Sequence, residues 1–162
     1  CAVKLNTDAS IKEGRAFGGG IVRSSDGGLV FAFYKEFGEN DVLTAEALAL
    51  LTGLQLCRER HIRQFVVEVD SKALVSLVSS RGSARWPLVN ILRHIQWLGV
   101  QLGVSVTHTF REANTVADAI ASGGPGQDAI ITMEAELPRK ARSALQLDRL
   151  AVPSVRLCGT RR

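Results

Sequence analysis

Cysteine is nearly missing from this chain. Cys1, Cys57 and Cys158 are an odd number, and no two are spaced as C-x-x-C. That argues against a disulfide framework and against a zinc site, and it fits a reducing compartment. No uninterrupted apolar run approaches the roughly 20 residues of a membrane-spanning helix, and no basic segment followed by an apolar stretch opens the chain. The expectation is a soluble intracellular protein, nuclear or cytoplasmic and not secreted, with no membrane partner. The abrupt start at Cys1 adds the expectation of a longer parent chain. Also missing is a phosphate cradle: Gly18-Gly19-Gly20 is followed by neither a Lys-Ser/Thr pair nor a helix signal. The three glycines read instead as a strand packed closely against another backbone.

A strong charge of one sign is missing too. The net charge is +4, and residues 126–162 hold most of it, with seven basic against four acidic side chains. Residues 1–125 are nearly balanced, at thirteen against twelve. Charge alone therefore does not identify a nucleic-acid binder. What the chain does have is the length of one domain, 162 residues with 46% hydrophobic side chains, enough to bury a core without disulfides.

In residues 3–10, Val3, Leu5 and Thr7 alternate with Lys4, Asn6 and Asp8, the period-2 pattern of a strand. It carries Asp8 at its end, just before the small pair Ala9-Ser10 turns the chain, and residues 11–15 read as turn. A second strand follows over 17–23, a hairpin turn over 24–28 and a third strand over 29–37, an antiparallel start. Asp41 or Thr44 caps a helix running from 44 to about 60. Its apolar stripe, Ala49, Leu50, Gly53, Leu54 and Cys57, also includes Glu46. A first-turn Glu can simply complement the helix dipole, but such a residue belongs on the wet side, and this one shares the apolar side. A fourth strand over 64–70 ends on Asp70, with Ser71 placed to cap a helix over 72–78. Residues 79–85 form a polar loop. Pro87 starts a helix striped by Leu88, Ile91, Leu92, Ile95 and Leu98, with Arg93 and His94 on its outer face. A fifth strand covers 104–108. In a helix over 111–121, Asn114 and Asp118 lie one turn apart. Gly123-Gly124-Pro125-Gly126 is the clearest boundary in the chain.

Four carboxylates thus stand out by position: Asp8 and Asp70 at strand ends, Glu46 at a helix start and Asp118 within a helix. Carboxylates forced together repel unless cations sit among them. Hard divalent cations with oxygen ligands are the natural remedy, and a pair of Mg²⁺ ions can activate water and stabilise the leaving oxygen of a phosphodiester.

In this order, Asn6-Thr7-Asp8-Ala9-Ser10, Ala45-Glu46-Ala47-Leu48, Val67-Glu68-Val69-Asp70-Ser71 and the run from His108 through Arg111-Glu112-Ala113-Asn114 to Asp118 resemble type 1 ribonuclease H. The resemblance is to its plant, reverse-transcriptase-like branch, often derived from retroelements, and it covers residues 3 to about 124. It implies an α/β fold with a mixed five-stranded sheet, three antiparallel strands followed by parallel additions, flanked by helices. The domain would occupy residues 1–124, followed by a basic, partly helical extension over 125–162. Leu137-Pro138, Leu147-Asp148-Arg149 and Pro153-Ser154 look like the extension common in that plant group.

The activity implied is endonucleolytic cleavage of the RNA strand of an RNA–DNA hybrid by two Mg²⁺ ions, with Mn²⁺ as a substitute. Asp8 would bridge both ions, Glu46 and Asp70 would complete one site, and Asp118 would hold the ion that activates water. His108 would assist proton transfer or product release; as the end of a strand pattern it reads equally as a structural histidine. Ser10, Ser71 and Asn114 would support the site or touch substrate. A polymerase or reverse-transcriptase domain in a longer chain is the implied protein partner.

Three features depart from the family pattern. Ala9 stands where many members have glycine. Asp41, Val42 and Leu43 occupy the stretch where an Asn/Gln pair reads the hybrid's minor groove. The basic, Trp-bearing protrusion is absent between residues 79 and 85. Fewer groove and phosphate contacts mean weaker hybrid selectivity and affinity, so a catalytically weak nucleic-acid-binding module is the alternative reading. Arg139, Lys140 and Arg142 of the tail either replace the basic handle or belong to a helix that covers the sheet or docks to a partner.

Overall fold

A computed structural model describes residues 3–80 and 84–150. Cys1, Cys158, Pro153-Ser154 and the middle of the loop over 79–85 lie outside the described residues. Strands β1 (Val3–Lys12), β2 (Arg15–Ser24) and β3 (Leu29–Gly38) form an antiparallel meander. Helix α1 (Val42–Glu59) then leads to β4 (Val66–Val69), α2 (Lys72–Ser79), α3 (Leu88–Leu102) and β5 (Val106–His108). A single 3-10 turn (Arg111–Ala113) precedes α4 (Thr115–Gly123), and β6 (Ala129–Ile131) and α5 (Arg139–Arg149) complete the described chain. The sheet runs β5-β4-β1-β2-β3-β6, with β4 parallel to β1, β5 parallel to β4, and the other pairs antiparallel. It is a mixed sheet flanked by helices, as expected, but of six strands. The sixth, β6, is three residues long and joins the free edge of β3.

β1 is a central strand, and both of its faces are covered: Asn6 and Asp8 are buried like Leu5 and Thr7, because α4 covers their face of the sheet. This corrects one expectation, since the chain does not turn at Ala9-Ser10. β1 runs on to Lys12, pairing Ala9 with Gly18 and Ser10 with Phe17, and Gly14 makes the turn at a φ of 78°. The glycine run is where the backbones close up. A Cβ on Gly19 would lie 2.5 Å from the Ala121 nitrogen of α4, so only glycine allows that approach.

One face of the sheet buries Leu5, Val22, Phe31, Phe33, Val67 and Val69 under α1, α2 and α3. The stripe of α1 predicted from sequence, Ala49, Leu50, Gly53, Leu54 and Cys57, is buried there. Asp41 Oδ1 accepts from the Thr44 N–H at 2.8 Å and caps that helix. Arg93 and His94 of α3 are exposed. The other face packs Ile21, Ala32 and Tyr34 against Val116, Ile120, Ala141 and Leu145 of α4 and α5. The segment after Gly123 therefore adds a strand to the sheet and a helix to this second core. Burying Leu145 alone is worth about 2 kcal/mol. None of the described helices is long and apolar enough to cross a membrane.

Candidate metal centre

Pairing between β1 and β4 ends at Thr7 opposite Val69, so Asp8 and Asp70 are the next residues on two adjacent parallel strands. Beyond that row nothing in the ladder covers β1 on the β4 side, and carboxylates from both layers meet there. One oxygen each from Asp8, Glu46 and Asp70 lie within 4.8 Å of one another. Asp118, one turn into α4, is close enough for its charge to act on Asp8, although it is not within that tight group.

Asp8 is 6% exposed. Its Oδ1 accepts from the Ala9 N–H at 2.8 Å, while Oδ2 is buried with no hydrogen-bond partner. Burial, followed by the charge of Asp70, pushes its carboxyl up to about 7; Asp118 and Glu46 add to the rise, and the Ala9 N–H opposes it. Burial also raises Glu46, with Asp70 contributing, while a hydrogen bond from Ser71 and the charge of Arg111 pull it down. The Ser71 hydroxyl additionally accepts from the Leu74 N–H at 3.3 Å, capping α2. It thus ties Glu46 to the helix that follows Asp70.

Asn114 precedes α4 and is 1% exposed. Its Nδ2 donates to the Thr7 carbonyl at 3.0 Å, which fixes α4, and so Asp118, to the strand that carries Asp8. The helix expected over 111–121 is in fact a 3-10 turn followed by α4. The break lets Asn114 leave helical geometry, with φ −107° and ψ 12°, and reach Thr7. His108 pairs with Val69 on the β5–β4 ladder, one residue before Asp70, and its ring stands edge-on to Phe110. It is not part of the close carboxylate group. Ser10 lies two residues beyond Asp8 on β1, half-buried opposite Phe17. Arg111 was legible only as a letter in a motif; its action on Glu46 depends on a loop that no periodicity reveals.

Carboxylate oxygens crowded within 4.8 Å, that of Asp8 buried and those of Glu46 and Asp70 half-buried, with one Asp8 oxygen unpartnered, are a poor arrangement for bare anions and a good one for a hard divalent cation. The residues present fit such an ion. Helical layers on both faces of a mixed sheet, with this acidic centre at the end of its two central parallel strands, define a ribonuclease H-like domain. The chain belongs to the reverse-transcriptase-like family, whose sequence profile matches residues 6–124. A protein of Arabidopsis thaliana named as a ribonuclease H protein is 30% identical over 128 residues, 74% of this chain. The chain spans only 20% of that relative's length. Ribonuclease H1 of the archaeon Halobacterium salinarum superposes with a TM-score of 0.68 at 22% identity, over 75% of this chain and 98% of that one. A second ribonuclease H1, LC11, solved in complex with an RNA/DNA hybrid, gives 0.64 at 19% identity, over 72% of this chain and 91% of that one.

Proposed function

We propose that the domain is a Mg²⁺-dependent endonuclease that hydrolyses the RNA strand of RNA–DNA hybrids by a two-metal mechanism. The observation that carries this reading is the convergence of Asp8, Glu46 and Asp70, with a buried Asp8 oxygen left unpartnered at its centre. Asp8 would bridge two ions, Glu46 and Asp70 completing one site and Asp118 the other. Bound Mg²⁺, or Mn²⁺ in its place, would supply a water acidic enough to ionise near neutral pH and a counter-charge for the phosphodiester.

The chain's own residues do the holding. The Ala9 N–H fixes Asp8 Oδ1 and leaves Oδ2 to ligate. Ser71 steadies Glu46, and Asn114 locks α4 against β1 so that Asp118 keeps its place. His108, paired with Val69 one residue before Asp70 on the ladder, would assist proton transfer or product release. Ser10 contacts the substrate backbone. A nuclear or cytoplasmic setting goes with this substrate, and a polymerase or reverse-transcriptase domain in the same longer chain is the expected neighbour.

The test is cleavage of matched RNA–DNA, RNA–RNA and DNA–DNA duplexes with Mg²⁺, with Mn²⁺ and with chelator. Cutting confined to the hybrid's RNA strand, dependent on the cation and abolished in Asp8→Asn, is the expected result. An uncut hybrid, under conditions in which a known ribonuclease H cuts it, overturns the nuclease. If both forms then bind the hybrid, the domain is a binding module instead.

A further inference from the structure

The loop between β5 and α4 is tied down at both ends, to two particular carbonyls. At its start the Thr109 N–H donates to the Val69 carbonyl at 2.9 Å, and at its end Asn114 Nδ2 donates to the Thr7 carbonyl at 3.0 Å. Val69 and Thr7 are the residues immediately before Asp70 and Asp8. Between the anchors, the Ala113 N–H donates to the Phe110 carbonyl at 2.9 Å and the Asn114 N–H to the Arg111 carbonyl at 3.0 Å, closing a tight turn. The loop is therefore held in register with both acidic strand ends.

What it presents is a ring and a cation. Phe110 is 64% exposed, its ring edge-on to His108 with centroids 5.7 Å apart. Arg111 is exposed and near enough to Glu46 for its charge to be felt there. Scattered exposed apolar side chains are ordinary. This one is held rigidly beside an anionic centre, with a guanidinium next to it in sequence.

Four carboxylates repel a phosphate backbone, so a nucleic-acid strand drawn to this centre needs cationic and apolar contacts at its margin. Arg111 offers the planar donor fork that matches phosphate. An aromatic ring can pack on nucleic acid without regard to sequence. In an RNA–DNA duplex the bases are already stacked, whereas riboses line a wide, shallow minor groove within reach of a protruding side chain.

We propose that Phe110 and Arg111 form a two-part grip on the RNA strand beside the carboxylates, the Phe110 ring packing on a ribose and the Arg111 guanidinium pairing with the neighbouring phosphate. The grip rests on the hybrid-nuclease reading above, and it makes both residues positioning residues.

The experiment measures binding rather than cleavage. Asp8→Asn protein is titrated in Mg²⁺ onto a fluorescent RNA–DNA hybrid of about 20 base pairs, and onto single-stranded RNA and DNA, over a range of salt. Adding Phe110→Ala should weaken hybrid binding about tenfold without altering its salt dependence, and Phe110→Trp should restore it. Adding Arg111→Ala should lower the slope of log affinity against log salt by close to one phosphate contact, about 0.7–0.9, while Arg111→Lys keeps the slope. Both side chains are exposed, so melting temperatures should not move, which separates the grip from a folding effect. If the Asp8→Asn parent binds the hybrid and the added Ala variants bind equally well with equal slopes, the grip is wrong and the nuclease reading stands. A parent that binds none of the three nucleic acids overturns both.

Discussion

Asn6 and Asp8 are two residues apart on one face of one strand and are buried almost equally, at 1% and 6% exposure, yet their surroundings differ in kind. Asn6 is satisfied. Its Oδ1 accepts from Arg23 Nη2 at 2.8 Å and its Nδ2 donates to Glu68 Oε2 at 3.3 Å. Outward from these partners, Lys4 pairs with Glu68 at 3.0 Å and Arg23 with Asp148 of α5 at 2.5 Å. Asp8 has one bond from its neighbour's N–H, three carboxylates in place of cations, and an orphaned oxygen. A cleft of about 440 Å³ opens beside Lys4, Arg23 and Glu68, but its charges are already paired with one another. Cleft volume is therefore a poor guide to chemistry here, and an unmet electrostatic demand is a better one. Buried polar groups whose partners are complete rigidify a fold, whereas one left incomplete invites a ligand.

The sharpest way to break the contrast is to remove each charge or amide in turn. Asp8→Asn keeps shape and removes the charge, and should lower hybrid cleavage by at least about a thousandfold, equivalent to ~4 kcal/mol in the transition state. Asn6→Ala should leave the rate per folded molecule unchanged. Single-turnover cleavage at matched folded concentration reads both. Equal losses would mean that the two ends of this strand face do not divide the labour as described.

Next in size is a pH effect centred on Asp8, with Glu46 raised in the same direction. Burial keeps Asp8 protonated in the folded chain up to about 7, while an ordinary aspartate ionises near 3.8. Between those values the folded chain binds more protons than the unfolded one. The stability contributed by Asp8 must therefore fall as pH rises through this window and level off on either side. A gap from 3.8 to about 7 sets an upper bound of ~4 kcal/mol on the loss. Urea midpoints in chelator at pH 4.5 and 7.5 should differ more for the parent than for Asp8→Asn, and Mg²⁺ at pH 7.5 should recover much of the parent's loss. The same pH dependence in both proteins would remove the electrostatic half of the comparison.

How far this was legible in the sequence follows from what each residue depends on. Asp8, Glu46 and Asp70 could be picked out because each breaks a local rule: an acid at a strand end, or in an apolar helix stripe. The turn expected at Ala9-Ser10 was wrong because small residues end a strand only if no partner continues it, and β2 carries β1 on to Lys12. β6 escaped notice because three residues have no measurable period and are strand only by pairing with β3. Asn114 could be placed a turn from Asp118 by spacing. Its bond to the Thr7 carbonyl could not, since a backbone acceptor 107 residues away leaves no trace in side-chain pattern. The satisfied network of Asn6 was hidden for the same reason: Arg23 and Asp148 meet it only after β2 and α5 have docked.

That network gives the smaller effects. Asn6→Ala removes the buried amide and strands a donor on the half-buried Arg23 and an acceptor on the half-buried Glu68, and should cost about 2 kcal/mol in urea unfolding. Asp148→Ala acts at the outer end of the same chain of contacts. The side chains of Arg23 and Asp148 are 12% and 31% exposed, so solvent screens the pair, and Asn6 still holds the guanidinium when Asp148 is gone. The expected loss is about 0.5 kcal/mol, visible as a small drop in melting temperature at low salt and absent at 1 M, where charges are screened within about 3 Å. The order of these two effects is the informative part. If Asp148→Ala costs more than Asn6→Ala, the network is anchored by α5 at its rim rather than by the buried amide on β1. Asn6 would then be a passenger on a surface latch, and no longer the satisfied counterpart of Asp8.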